Sequence, residues 1–365
     1  MSKLRVAHIV CDLLAGGGQK STIDLMKTTD NDVENYLILL ENKRNYEPEN
    51  CKILSICEDK KIYKKLDILG DYLLSLKLKK ILNKHKIDIA ISHMEVTARV
   101  LRFVDIDKIF YMRVDITQEL ESLKKISFFR YKKRYSRYRK IFNKQNLITI
   151  SKDSELNISK FIKPKNIKTI YNPFDTKNIL KLSTKKVETP DYPYIIQIGQ
   201  GISRKRQDIL LEAFSMIKNK NIKLLLLGTE KNHEILTLIE KFNLNSRVLF
   251  ETFTTNPYPY IKNAKLLVVS SEREGLPRVI IESLILKTPV VSTDCKTGPK
   301  EILVDELSSF LAEVNNPIDL ASKINLALKT YPKINDKHIQ KFNKSKIKIK
   351  FLDYIKKIRK NNEQH

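Results

Sequence analysis

The 365-residue chain carries 68 Lys and Arg against 42 Asp and Glu, a formal net charge of +26, with 42% hydrophobic and 30% charged residues. That apolar share supports real cores, and the length suits two domains of about 170 residues each. No apolar run approaches the ~18–20 residues of a membrane span, and the short run Val6–Val10 reads as a strand rather than a signal peptide. The four cysteines (Cys11, Cys51, Cys57, Cys295) form no C-x-x-C pair, and no histidine stands at ligand spacing from another or from a cysteine. Scattered thiols of this kind suit a reducing cytoplasm and predict no metal site. The charge predicts an anionic partner, whether nucleic acid, membrane or polyphosphorylated substrate. A lysine excess is also what an AT-rich genome produces.

In chain order, Arg5–Cys11 reads as a strand, followed by a glycine turn and a helix from about Ser21. Tyr36–Leu40 is strand-like, and Leu66–Leu82 has helical periodicity with Lys on its outer face. Asp88–Ser92, Ile109–Val114 and Leu147–Ile150 are buried-strand runs. The order restarts after Asn172-Pro173-Phe174-Asp175, and the polar stretch 176–193 reads as a linker. Beyond it, strands at Tyr194–Gly199, Lys223–Gly228, Val248–Phe250, Leu266–Ser270 and Val290–Thr293 alternate with helices. Those helices fall at Gln207–Ile217, His233–Phe242, Pro257–Asn263 and around Glu282. Ile339–Arg359 is a Lys-rich helix with an apolar stripe of Ile347, Phe351, Tyr354, Ile355 and Ile358. Such alternation predicts an α/β chain of two tandem doubly wound domains facing a cleft, at 1–175 and 194–335. The terminal segment 336–365 is predicted to pack back on the first domain.

Glu274 and Glu282 stand with seven residues between them in Glu-Gly-Leu-Pro-Arg-Val-Ile-Ile-Glu. The first lies in a strand-to-helix turn and the second within a helix that starts near Pro277, where proline's missing N–H costs nothing. Between them are the free N–H groups of a helix N-terminus, an anion site. Two acceptors for hydroxyls around a phosphate site suit a nucleotide-sugar. Upstream, Gly199-Gln200-Gly201-Ile202-Ser203-Arg204-Lys205-Arg206 joins a strand to a helix. Gly199 allows close backbone approach, and the basic residues suit a diphosphate; a solvated basic turn is the plain alternative. Ala15-Gly16-Gly17-Gly18-Gln19-Lys20-Ser21 matches neither the P-loop nor G-x-G-x-x-G, yet Gly17 and Gly18 allow a ligand to press on the backbone. His93 closes a strand, where a ligand role and a structural one both fit. Gly298-Pro299 marks another strand-to-helix turn.

From Lys124 to Lys144, the cations Lys125, Arg130, Lys132, Lys133, Arg134, Arg137, Arg139 and Lys140 alternate with aromatic residues. The spacing fits a basic amphipathic helix that faces an anionic membrane. The same residues would suit phosphates and bases, or a solvated helix with buried rings.

The two-glutamate segment, the Lys205 turn, Asn172-Pro173-x-Asp175 and Thr293-Asp294-Cys295-x-x-Gly298-Pro299-x-Glu301-Ile302-Leu303 together resemble glycosyltransferase family 4, the retaining GT-B family also called glycosyltransferases group 1. The resemblance runs from about Ile150 to Ala312. It implies two Rossmann-like domains and a nucleotide-sugar, usually UDP-linked, held mainly by the second. It also implies roles for single residues. Glu274 would meet donor-sugar hydroxyls, Glu282 the ribose hydroxyls, and Lys205 the diphosphate, with Arg204 or Arg206 as the candidates for a second basic contact. The backbone of Gly275, Leu276, Pro277 and Arg278 would meet sugar and phosphate oxygens, and His93 would orient the transferred sugar. No metal or other cofactor is implied, and Asp105-Ile106-Asp107 has only the spelling of a D-x-D site. The family usually has Arg where Gln200 stands, and an acidic residue where Gln19 stands. The implied activity is hexosyl or N-acetylhexosaminyl transfer to a lipid-linked or growing surface glycan (lipopolysaccharide, capsule or O-antigen). The expected place is the cytoplasmic face of the membrane, with no nucleic acid partner. A nucleic-acid-binding protein, a sugar-nucleotide epimerase and a scaffold subunit without turnover are the other readings open to the sequence.

Overall fold

In the computed structural model of the protein, the described residues are 3–14, 16–45, 48, 51–200 and 202–363. Ala15 of the glycine loop and Gly201 of the basic turn lie outside them. The chain divides into two compact units, Met1–Phe174 with Phe342–His365, and Asp175–Lys341.

The first unit contains β1 (Leu4–Val10), α1 (Gly17–Thr29), β2 (Val33–Glu41), β3 (Lys52–Cys57), α2 (Lys61–Lys65), α3 (Asp67–Lys84), β4 (Ile89–Ser92) and α4 (Glu95–Leu101). It continues with β5 (Asp107–Met112), α5 (Ile116–Ile126), α6 (Phe128–Phe142), β6 (Asn146–Thr149), α7 (Lys152–Phe161) and β7 (Asn166–Thr169). Its seven strands are all parallel, in the order β3-β2-β1-β4-β5-β6-β7.

The second unit opens with α8 (Thr176–Leu182), β8 (Tyr194–Ile198), α9 (Ile202–Lys205), α10 (Gln207–Ser215), β9 (Lys223–Leu227), α11 (His233–Lys241) and β10 (Val248–Glu251). It continues through α12 (Tyr258–Asn263), β11 (Leu266–Val269), α13 (Arg278–Ile285), β12 (Val290–Thr293), α14 (Pro299–Ile302), β13 (Leu311–Ala312) and α15 (Pro317–Lys329). Its six strands are parallel in the order β10-β9-β8-β11-β12-β13. The final helix, α16 (Lys344–Glu363), belongs to the first unit.

A parallel sheet is covered on both faces, so its inner strands must be apolar on both sides. Val6, Ala7, Ile9 and Val10 of β1 and Leu224 to Leu226 of β9 are completely buried. Each sheet also reverses its winding once. The chain steps outward from β1 through β2 to β3, then returns to lay β4 on the other side of β1. In the second unit the same reversal falls between β8 and β11. At such a switch point the loops diverge and leave a crevice beyond the strand ends.

Several expectations shift. Helix α1 starts at Gly17, ahead of Ser21, because the glycines themselves form its first turn. Residues 176–193 hold a helix, α8, whose N-cap Asp175 accepts from the Asn178 N–H at 3.1 Å. Helix α16 starts at Lys344 rather than Ile339, because the chain first pairs with Phe174, whose N–H donates to the Phe342 carbonyl at 3.0 Å. The basic stretch is two helices, interrupted at Ser127, whose hydroxyl caps α6. Helix α3 turns Gly70, Asp71, Leu74, Ser75, Leu78 and Leu82 inward, so its outer face bears leucines as well as lysines.

Helix α16 closes the core of the first unit with Ile347, Phe351, Tyr354, Ile355 and Ile358, and the Tyr354 hydroxyl donates to the Leu147 carbonyl at 3.0 Å. Phe351 is fully buried beside His8. Phe351→Ala is expected to lower stability by about 3–5 kcal/mol, read as a fall in the urea midpoint of the first unit's transition.

Candidate functional site

The residues singled out in the second unit meet at its switch point. Lys205 ends α9 after β8, and Glu274 lies in the turn after β11. Lys205 Nζ donates to Glu274 Oε1 at 2.7 Å, and both side chains are largely buried. The pair is held from both sides. The Lys205 carbonyl accepts from Ser270 Oγ at 2.7 Å and from Gln197 Nε2 at 3.2 Å. The Glu272 N–H donates to the Arg204 carbonyl at 3.1 Å. Ser271 Oγ donates to Glu274 Oε1 at 2.7 Å, and the Thr297 hydroxyl donates to the Glu274 carbonyl.

Two glycines make this packing possible. Gly199 has φ +140°, and a Cβ there would stand 2.9 Å from Lys205 Cε. Gly298 has φ +95°, and its Cβ would lie 2.6 Å from Pro277 Cδ and 2.7 Å from the Gly275 carbonyl. The turn before α14 therefore nests against Gly275, Leu276 and Pro277 at the N-terminus of α13.

Burial alone would raise the Glu274 pKa, but the Lys205 charge and hydrogen bonds from Lys205 and Ser271 outweigh it and hold the carboxyl below its ordinary value. Glu274 is therefore an anion, an acceptor for hydroxyls. Burial, followed by the Glu274 charge, pushes the Cys295 thiol up to about 12. It stays protonated and is no nucleophile at neutral pH.

Glu282 is buried within α13, where Oε1 lies 3.3 Å from Arg278 Nη2 and accepts from the Tyr258 hydroxyl at 3.4 Å. Arg204 is exposed at the same strand end. Arg206 has left-handed backbone (φ +49°) and is clamped on Asp208 at 2.7–3.1 Å, with Asn315 as a further acceptor. Arg206 is thus committed within its own turn.

The first unit gathers its own singled-out residues at the β1/β4 switch point. Gly17 and Gly18 begin α1 after β1, and His93 follows β4. A Cβ on Gly18 would lie 3.4 Å from the Met94 methyl. His93 is fully buried, with both ring nitrogens engaged. Arg113 Nη2 donates to His93 Nδ1 at 2.9 Å. Since a guanidinium only donates, His93 must carry its proton on Nε2, which donates to His8 Nδ1 at 2.9 Å. His8 then donates from Nε2 to Asn35 Oδ1 at 3.1 Å. Arg113 also donates to Asn172 and lies 3.8 Å over the Tyr111 ring. The Asn-Pro-x-Asp segment thereby does two structural jobs, with Asn172 receiving Arg113 and Asp175 capping α8. Arg113 escaped the sequence reading, although a cation directly after the apolar β5 run was a usable signal.

Asp107 opens β5, so the Asp105-Ile106-Asp107 spelling sits at the strand end remote from the switch point. Asp305, Glu306 and His338 bring potential ligand atoms within 4.8 Å of one another. His338 Nδ1 accepts from the Asn335 N–H at 3.1 Å, so Nε2 carries the proton; it lies 3.3 Å from Glu306 Oε1 outside hydrogen-bond geometry. Lys337 Nζ, 3.2 Å from Glu306, supplies positive charge already. Those donors do not fit a metal ion.

Of the basic stretch, Lys125, Arg130, Lys132, Lys133, Arg139 and Lys140 are exposed. Arg134 instead turns inward to Glu95 at 3.0 Å and Glu119 at 3.3 Å, and Arg137 lies 4.0 Å from Asp67. The expectation that Arg134 faces a membrane is therefore corrected: α6 uses it to hold α4 and α5.

The tight turn at Gly298 and the buried histidine pair each have a measurable consequence. Gly298→Ala should cost about 1–3 kcal/mol and loosen Glu274, measured as a lower melting temperature of the second unit. Burial, first, and then the Arg113 charge lower both histidine pKa values, His8 to about 3, with the Asn35 hydrogen bond opposing the shift at His8. The unfolded chain binds protons below about pH 6.5 while the native rings do not, so stability is full above that pH and drains below it. The slope is about 1.4 kcal/mol per pH unit for each histidine. Denaturant midpoints measured from pH 7 to 4 should show it, and His8→Asn should flatten it.

The family described as Glycosyl transferases group 1 matches residues 179–346. The chain is 32% identical over 198 residues to a Campylobacter jejuni N-acetylgalactosamine-N,N'-diacetylbacillosaminyl-diphospho-undecaprenol 4-alpha-N-acetylgalactosaminyltransferase, covering 53% of this chain and 52% of that protein. It is 26% identical to the Staphylococcus aureus capsular polysaccharide biosynthesis glycosyltransferase CapH, covering 95% and 98% of the two chains. Against three curated relatives the chain spans only 33–52% of their own length. The crystal structure of Anabaena HepE in complex with UDP and glucose superimposes with a TM-score of 0.74 at 16% identity, covering 97% of this chain and all of that one. That likeness shows a shared GT-B fold. Residues 179–346, which hold the Lys205–Glu274 pair and the α13 turn, are thus the part of the chain that is similar to the glycosyltransferases group 1 family.

Proposed function

We propose that the protein is a retaining glycosyltransferase that moves a hexosyl or N-acetylhexosaminyl group from a nucleotide-sugar, UDP-linked, to a lipid-linked or growing surface glycan. The carrying observation is the buried Lys205–Glu274 pair at the β8/β11 switch point. It puts one cation and one ionised acceptor beside the N-terminus of α13, the set needed for a diphosphate joined to a polyhydroxylated ring. Named relatives support the class of product: CapH is a capsular polysaccharide biosynthesis enzyme, and the Campylobacter enzyme acts on a diphospho-undecaprenol. HepE, of the same fold, was crystallised with UDP and glucose.

In this reading the donor's diphosphate competes with Glu274 for Lys205. As Lys205 and the exposed Arg204 turn to the phosphates, Glu274 is released to accept from sugar hydroxyls. The backbone of Gly275, Leu276 and Arg278 meets donor oxygens, and Glu282 takes the ribose. Gly17 and Gly18 keep a backbone without side chains at the start of α1 in the first unit. His93 acts through the backbone at the β4 end, since both ring nitrogens are already engaged. Charge building on the departing diphosphate is stabilised by fixed groups in a dry setting, and such preorganised electrostatics often supply most of the rate enhancement. With no activated nucleophile among these residues, the acceptor attacks from the face the diphosphate leaves. No resident metal is part of the scheme. An acceptor of this class suits an enzyme working at the cytoplasmic face of the membrane.

A thermal-shift screen of nucleotide sugars should give one stabilising donor, because ligand binding raises stability by mass action. Lys205→Ala should lower kcat by ~100-fold with a smaller change in KM. Glu282→Gln should weaken donor binding by roughly 1.5–3 kcal/mol. Undiminished turnover and affinity in both variants would refute the assignments, and epimerised nucleotide-sugar as product would replace transfer with a different chemistry.

A further inference from the structure

Helix α3 is built the wrong way round for a helix that meets only water. Its core face includes Asp71, which receives Arg99 Nε at 2.8 Å, and Ser75. Its outward face carries Leu69 (55% exposed), Tyr72 (45%), Leu73 and Leu76 (42%), with Ile68 (59%) beside them. The spacing i, i+3, i+4, i+7 makes a continuous apolar stripe. Phe103, also exposed, extends it by an edge-to-face contact with Tyr72 at 5.7 Å. Large apolar stripes of this kind on an outer surface mark interaction sites.

The stripe cannot roll inward. Gly70 lets the Tyr63 carbonyl of α2 press directly onto α3, and any Cβ there would overlap that oxygen. Arg99 binds Asp67 at 3.0 Å as well as Asp71, fixing the start of the helix against α4.

The surroundings are cationic. Lys77, Lys79 and Lys80 are exposed on the next turns of α3 itself. Arg137 of α6 reaches Asp67 at 4.0 Å, so the basic helix runs beside the same end of α3. At the far end of α6, Phe129 is 78% exposed between Lys125 and Lys132. An apolar stripe with a lysine and arginine border on a chain of net charge +26 matches one surface best, an acyl layer under anionic headgroups. A second copy of the chain would bring like charge to like charge. A nucleic acid would use the cations and leave the leucines in water.

We propose that the outward face of α3, Leu69, Tyr72, Leu73 and Leu76, inserts into an anionic bilayer and seats the first unit there, with the exposed cations of α6 as its electrostatic border. This names the surface by which the transferase reads its membrane, and to that extent rests on the preceding function. The lysine-rich helix alone would hold the protein by charge; the stripe adds a salt-resistant component.

The test is co-sedimentation of the full chain with vesicles of phosphatidylglycerol and phosphatidylcholine, against phosphatidylcholine alone. The wild type should bind the anionic vesicles and retain part of that binding in high salt. Leu69→Ser with Leu73→Ser should weaken partition about a hundredfold and abolish the salt-resistant part, with an unchanged circular dichroism spectrum. Lys132→Glu with Lys133→Glu should remove only the salt-sensitive part. Unaltered partition of the double leucine variant overturns the proposal. So does a wild-type dimer that the leucine changes dissociate, or DNA binding that depends on those leucines. Nucleotide-sugar thermal shifts on the same samples keep the two readings apart. Leucine-dependent vesicle binding without any donor hit leaves the stripe standing and removes the transferase.

Discussion

Everything else in this protein depends on a constraint of parallel sheets. Right-handed crossovers let the chain wind outward from a starting strand in one direction only, so building both sides requires one reversal. At the reversal two neighbouring strands send their following loops opposite ways, and nothing in the sheet fills the space beyond them. Each unit has one such place, β1/β4 and β8/β11. The glycine turn and His93 fall at the first, and Lys205 and Glu274 at the second. The residues singled out for chemistry sit where topology leaves room for a ligand.

Room alone does not hold a charged pair in a dry setting. Removing an ammonium and a carboxylate from water is costly unless they meet each other and further donors. In the second unit Ser271 supplements the pair, and Ser270 and Gln197 grip the Lys205 backbone, so the cation is aimed from behind. Gly199 and Gly298, in backbone regions other residues avoid, let those turns close on one another. The first unit handles buried polarity differently. One arginine orders the tautomers of two histidines in series, and burial, helped by the arginine's charge, keeps both neutral.

The sequence revealed the interior of the fold better than its margins. Strands β1, β4, β8 and β11 were legible because burial on both faces makes them predominantly apolar. The first sheet's edge strands β3 and β7, both missed, are half-exposed and carry Lys and Asn, and β13 has only two residues. Helices α4 and α7 went unread because seven and ten residues give too few turns for a clear period. The glutamate pair and Lys205 were legible as motifs. Their partners were not, since Ser271, Thr297 and Gln197 are common residue types whose role comes from three-dimensional proximity. The α3 stripe was hidden for the opposite reason: the pattern was plainly amphipathic, but only the packing of Gly70 on Tyr63 decides which side is inside.

The second unit, 175–341, interrupts the first, whose remaining piece, α16, follows it in the chain. During vectorial synthesis the ribosome releases every residue of the later unit before Phe351 and Tyr354 emerge. The earlier sheet must therefore wait, its groove for α16 open, while its successor finishes. A nascent chain stalled anywhere in that interval presents exposed apolar surface to chaperones from its oldest part, not its newest.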